Sequence, residues 1–159
     1  MKDVHRESQY AALDILRHEV KRGPNNRWKF YDKLIVTKSW WDTVDALATN
    51  CMGAHLLQFP NLRQTVPHKL LADKNMWRQR TAIIHQLKYG AQTDVEFLFA
   101  ACRECARSNE FFLQKAIGWS LRQLSKREPD AVIRFIEKEK LATLSKREGL
   151  KWLKDKGKL

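Results

Sequence analysis

The chain has 159 residues, 43 % of them hydrophobic, which fits one domain (1–159) with a sizeable core. Six glycines and four prolines are too few for a turn-rich all-β architecture and point to helices. Thirty Lys and Arg against 18 Asp and Glu give a net charge of +12 and a pI near 9.8. Because the cations recur along the whole chain rather than on one amphipathic segment, the expected partner is nucleic acid and not a membrane surface.

The stretch Met1 to Ser8 is polar and mixed in charge, with no secretory signal. No apolar run approaches the roughly 20 residues that span a bilayer. Three cysteines, an odd number, do not suggest a disulfide framework. The expectation is an intracellular, cytoplasmic protein that needs no cofactor.

Apolar residues recur at helical spacing nearly throughout. Ala12, Leu13, Leu16 and Val20 form the stripe of a first helix, which breaks at Gly23 to Asn26. A second helix is predicted over Trp28–Thr37. Ser39 reads as the cap of a third, with Asp42 three residues on, running to about Gln58 and ending before Pro60. Further helices are predicted over Leu62–Ala72, Met76–Lys88, Val95–Arg107, Phe111–Lys126, Asp130–Lys140 and Ser145–Lys156, with Asn75, Thr93, Asn109 and Ser145 as caps. The architecture expected is all-α, with eight or nine helices joined by short connections as antiparallel neighbours. Ser39, Asn75 and Asn109 lie 36 and then 34 residues apart, each followed by an aromatic residue, a spacing typical of helix-pair solenoids.

Three of these helices carry residues that share a face. Trp41 and Asp45 are four apart; Trp77 and Arg80 are three apart, with Lys88 about two turns beyond; Lys115, Trp119 and Arg122 follow at i, i+4 and i+7. Cations suit phosphates and indoles suit sugars or bases. A carboxylate repels DNA, so Asp45 either pairs with a local arginine or performs chemistry. On spacing alone each tryptophan reads as core and Asp45 as an ordinary helix carboxylate. Cys102-Arg-Glu-Cys105 reads as structural, because neither a βαβ pattern nor a second pair accompanies it. His5, His18, His55, His68 and His85 have no metal-ligand spacing, and no metal is expected.

Three stretches go further: Leu34-Ile-Val-Thr-Lys-Ser-Trp-Trp-Asp-Thr-Val-Asp45; Trp77-Arg-Gln-Arg-Thr-Ala-Ile83 with Gln86-Leu-Lys-Tyr89; and Glu110-Phe-Phe-Leu-Gln-Lys-Ala-Ile-Gly-Trp-Ser-Leu-Arg122. They closely resemble the AlkD family of DNA alkylation-repair glycosylases, and Leu144-Ser-Lys-Arg-Glu148 resembles that family's C-terminal motif. The resemblance runs from about Glu7 to the end. It implies a C-shaped, HEAT-like helical-repeat solenoid that removes cationic N3- and N7-alkylated purines from double-stranded DNA without flipping the base, unlike most glycosylases. It places the catalytic carboxylate on Asp45 and the sugar-contacting indoles on Trp41 and Trp119. It places DNA contacts on Arg80, Lys88 and Arg122, with Lys115, Lys146 and Arg147 beside them. The family's first helices have no counterpart here, which predicts self-association through an uncapped N-terminal helix or modest stability. The competing expectation is a basic HEAT-like scaffold that holds DNA without cutting it. An Asp45 locked in an internal ion pair, or pointing away from both indoles, would count against the enzyme and leave that alternative.

Overall fold

The computed structural model of the protein describes residues 6–159, and His5 lies outside them. Among the described residues every regular element is helical, as the apolar periodicity predicts. None of these helices is long and apolar enough to cross a membrane. The chain divides into two compact units, Met1–Thr81 and Ala82–Leu159.

The first unit contains α1 (Arg6–Glu19), α2 (Trp28–Ile35), α3 (Trp41–Ala46), α4 (Ala54–Gln58), α5 (Pro60–Leu71) and the start of α6 (Met76–Ile84). Two short 3-10 turns, Val20–Arg22 and Asn25–Arg27, fill the predicted break. Between α3 and α4 the backbone does not stop. A π-helical segment, Leu47–Gly53, joins them into one rod that reaches Gln58 as expected. The Thr49 hydroxyl donates to the Asp45 carbonyl at 2.8 Å inside this rod, competing for a backbone acceptor where the turn widens. Tyr31, Ile35, Val44, Ala48, Met52 and Leu56 form the core. Burying an aliphatic side chain of this size contributes about 1.5–3 kcal/mol.

Ser39 does not cap α3. Lys38 takes the left-handed conformation at φ +48°, and this turns the Ser39 hydroxyl back onto the Ile35 carbonyl at 2.6 Å, closing α2. Trp40 occupies the cap position, and Asp42 Oδ1 accepts from the Thr43 amide at 2.7 Å. α5 starts at Pro60 rather than at the predicted Leu62, since the fixed φ of proline suits the first helical position. Asn75 does cap α6, accepting from the Trp77 and Arg78 amides at 2.9 and 3.3 Å.

The second unit holds the end of α6, then α7 (Val95–Cys105), α8 (Phe111–Ser125), α9 (Pro129–Lys138) and α10 (Thr143–Asp155). α6 ends at Ile84, short of the predicted Lys88. The Gln86 side chain instead brackets Asp94, accepting from its amide at 2.7 Å and donating to its carbonyl at 3.2 Å. Asp94, not Thr93, caps α7 by accepting from the Phe97 amide at 2.9 Å. Ahead of α8 the Ser108 hydroxyl, not Asn109, takes the Glu110 amide at 3.2 Å. Ser145 is buried within α10 and donates to the Gln114 carbonyl at 2.9 Å.

α8 and α10 pack closely against each other. Gly118 makes this possible: a Cβ there would stand 2.5 Å from the Glu148 Cβ and 3.1 Å from the Ser145 carbonyl. Cys102 and Cys105 are buried free thiols. Burial pushes both of their thiols up, that of Cys105 to about 12, which disfavours the reactive thiolate form.

Candidate functional site

In the first unit α3 presents Trp41 and Asp45 one turn apart. Trp41 is 46 % exposed, whereas Asp45 is 9 % exposed. The Asp45 carboxylate is gripped by a side chain from α6. Arg80 Nε donates to Oδ1 at 2.7 Å and Nη2 donates to Oδ2 at 2.8 Å. This side-on pairing is the strong form of a charge-assisted hydrogen bond. Arg80 is itself 4 % exposed, so the sequence expectation of an outward phosphate contact there gives way to a buried ion pair. A guanidinium enclosed in protein needs an anion beside it, and Asp45 is the carboxylate it meets. Burial pushes the Asp45 carboxyl above its ordinary value, and the Arg80 cation opposes that rise without cancelling it.

Two further arrangements fix this corner. Arg78, two residues before Arg80, donates from Nε and Nη2 to the two Asp32 oxygens at 2.8 and 2.9 Å, and from Nη1 to Asp73 at 3.0 Å. It thereby ties α6 to α2. Asp42, next to Trp41, accepts from Tyr10 Oη at 2.6 Å and from Arg6 Nη2 at 2.5 Å, so α1 is anchored at the start of α3. The Arg78–Asp32 pair and the bonds of Asp42 to Tyr10 and Arg6 have no local sequence signal, because they join residues 46, 32 and 36 apart.

In the second unit the expected DNA contacts are placed on α8 and α10. Lys115, Trp119 and Arg122 follow one another along α8, with Trp119 half-buried. Lys146 and Arg147 stand on α10, and Lys88 is exposed in the turn after α6. Three of these cations meet one carboxylate. Glu148 lies 3.3 Å from Lys115 Nζ, 3.4 Å from Arg122 Nη1 and 3.9 Å from Arg147 Nη2. Burial tends to raise the Glu148 carboxyl, but the Lys115, Arg122 and Arg147 charges outweigh it and hold the group below its ordinary value. Among the described residues no group of His, Cys, Asp or Glu side chains is arranged to hold a metal ion.

Comparison with known proteins agrees with this architecture. A family model described as DNA alkylation repair enzyme matches residues 1–153. A solved structure, a predicted DNA alkylation repair enzyme from Enterococcus faecalis, superposes with a TM-score of 0.90 at 33 % identity, over 96 % of this chain and 71 % of that one. No curated protein matches the chain.

Proposed function

The chain belongs to the DNA alkylation repair enzyme family, and on that premise we propose that it is a DNA glycosylase that hydrolyses the N-glycosidic bond of cationic N3- or N7-alkylpurines in duplex DNA. An alkylated purine already carries positive charge and leaves as a neutral base, so no strong acid is needed. The barrier lies in the cation that develops at C1′ of the deoxyribose as the C1′–N bond breaks, and a fixed negative group lowers it; a water then bonds to C1′ and gives its proton to bulk solvent.

The observation that carries this reading is the Asp45 carboxylate, held rigidly in partly desolvated surroundings one helical turn from the exposed Trp41 indole. The arginine does not consume it. Two hydrogen bonds occupy two of about four lone-pair positions on a carboxylate. A carboxylate about 4 Å from a cation attracts it by about 4 kcal/mol at an effective dielectric of 20, and an arginine charge roughly twice as far away takes back about 2. The balance still favours the developing sugar cation. Because the pair is preorganised, no reorientation is needed when charge appears.

Trp41 offers an electron-rich face to the positive sugar, worth about 0.5–2 kcal/mol. Trp119 is proposed to offer its indole to deoxyribose in the same way. Lys88, Lys115, Arg122, Lys146 and Arg147 neutralise phosphates and set register without reading sequence. The test is release of 7-methylguanine from a duplex under single-turnover conditions, where the wild-type protein releases base and an Asp45→Asn protein does not.

The burial of Asp45 in an ion pair with Arg80 favours a second reading, a basic scaffold that binds DNA without cutting it. Salt-dependent duplex binding with no base release from the wild-type protein would establish that reading instead.

A further inference from the structure

Glu148 stands among the cations of the second unit, where a carboxylate ought to weaken any grip on DNA. Its side chain is 17 % exposed and meets Lys115, Arg122 and Arg147 at 3.3, 3.4 and 3.9 Å. Its place is built into the backbone. Gly118 lets α10 approach α8 until a Cβ at that position would stand 2.5 Å from the Glu148 Cβ, and the Ser145 hydroxyl fastens the two helices at the Gln114 carbonyl. A solvated surface glutamate requires no such accommodation.

We propose that Glu148 is a positioning residue for phosphate binding: it gathers Lys115, Arg122 and Arg147 into a preformed cluster for the DNA backbone. The inference rests on the duplex-DNA reading above, though not on excision. Three cations against one anion leave the cluster two charges positive, so it still attracts phosphate. Without the anion the three long side chains repel one another and spread into solvent, and each must be ordered again when DNA binds. With it the ordering is done in advance. An arginine offers five N–H donors, and Arg122 gives one of them to Glu148, so most remain for a phosphate.

The test separates this role from simple repulsion because the two predict opposite signs. Binding of an undamaged, fluorescein-labelled duplex to the full chain is followed across a salt series for the wild type, Glu148→Gln and Glu137→Gln. Glu137 is an exposed carboxylate of α9 that serves as the electrostatic control. If Glu148 only repels DNA, removing its charge tightens binding, as it should at Glu137. As a positioning residue, its loss weakens binding about tenfold, and the slope of log K against log salt falls by about 0.9 for each phosphate no longer neutralised. Thermal melts confirm that the compared proteins are folded. Should the glutamine protein fail to fold, Glu148→Asp takes its place: it keeps the net charge but withdraws the carboxylate by one methylene, and the same decrease in slope is expected. Equal or tighter binding by the folded variant overturns the inference while leaving the function standing. A wild type that binds duplex but releases no base leaves the inference standing while excision falls. A wild type that does not bind duplex overturns both.

Discussion

Arg80 holds Asp45 side-on, contacting both carboxylate oxygens at 2.7 and 2.8 Å, with 4 % of the arginine left exposed. The carboxylate cannot rotate without breaking two charge-assisted bonds in an enclosed setting. A group so fixed is unsuited to shuttling protons and suited to presenting a constant field.

Replacing Asp45 by asparagine keeps the shape and removes the charge. Base release should fall by about 100-fold or more, the usual effect of removing one preorganised electrostatic contact. The effect on stability should be small, because burial already disfavours the ionised carboxyl and offsets the loss of its pairing with Arg80. Single-turnover release at a temperature where the variant remains folded, together with urea titration, checks both effects. Unchanged release would remove Asp45 from the mechanism.

Arg80→Ala separates a buried partner from a phosphate contact. The expected result is a loss of about 3–5 kcal/mol in stability and a large loss of excision. The salt slope of duplex binding should keep its wild-type value, since a cation enclosed around Asp45 neutralises no phosphate. A slope lower by about 0.9 would mean that Arg80 reaches the DNA backbone after all.

The pH dependence follows from the same pair. Asp45 must be ionised to stabilise a cation, and burial has raised its carboxyl above the ordinary value of 3.8. Excision should therefore decline on the acid side with a one-proton slope whose midpoint lies above that value; a midpoint at or below it would show that Asp45 is not the titrating group. For stability the sign is the reverse of the usual carboxylate case. A raised group contributes stability at low pH and loses it as pH rises through its folded value. Glu148 is lowered from 4.5, so its contribution is present above that pH and fades as acid titrates the folded carboxylate. A pH series of melts comparing wild type with Glu148→Gln would show this difference vanishing towards acid.

Gly118→Ala sets two effects against each other. Alanine in a helix interior is favoured over glycine by about 1 kcal/mol. The added methyl would lie 2.5 Å from the Glu148 Cβ and 3.1 Å from the Ser145 carbonyl, and overpacking typically costs about 1–3 kcal/mol. Both neighbours belong to a helix rather than to a flexible side-chain tip, so the clash should win and the melting temperature should drop. A higher melting temperature would show that α10 yields without strain.

The helical architecture was legible because apolar periodicity is a local property, and Asn75 was found because a cap bonds only its neighbours. Ser39, Thr93 and Asn109 were misplaced for the same reason: several small polar residues sit near each helix start, and the turn geometry, such as the left-handed Lys38, decides which one bonds. The grouping of Trp41 with Asp45 came from spacing and resemblance. The Asp45–Arg80 pair did not, since it joins residues 35 apart across two helices. Burial decides whether an arginine faces phosphate or carboxylate, and burial belongs to the assembled fold. Glu148 closes the Leu144-Ser-Lys-Arg-Glu148 motif, but its place among three cations has no local signal, since Lys115 and Arg122 lie on another helix that Gly118 brings close.

The wide turn at Leu47–Gly53 has a consequence for how the chain tolerates change in length. Each residue of an ordinary α-helix advances the spiral by about 100°, and a π segment advances it by less. Losing one residue there would let the rod rewind to α geometry with little net rotation, because the faster α winding makes up for the missing residue. Asp45 would keep pointing at Arg80 while Leu56 kept its seat in the core. The widened turn thus works as slack: the rod can give up one residue within Leu47–Gly53 and hold the aim of the carboxylate, whereas the same loss from an ordinary α stretch would turn its flanks by about 100°.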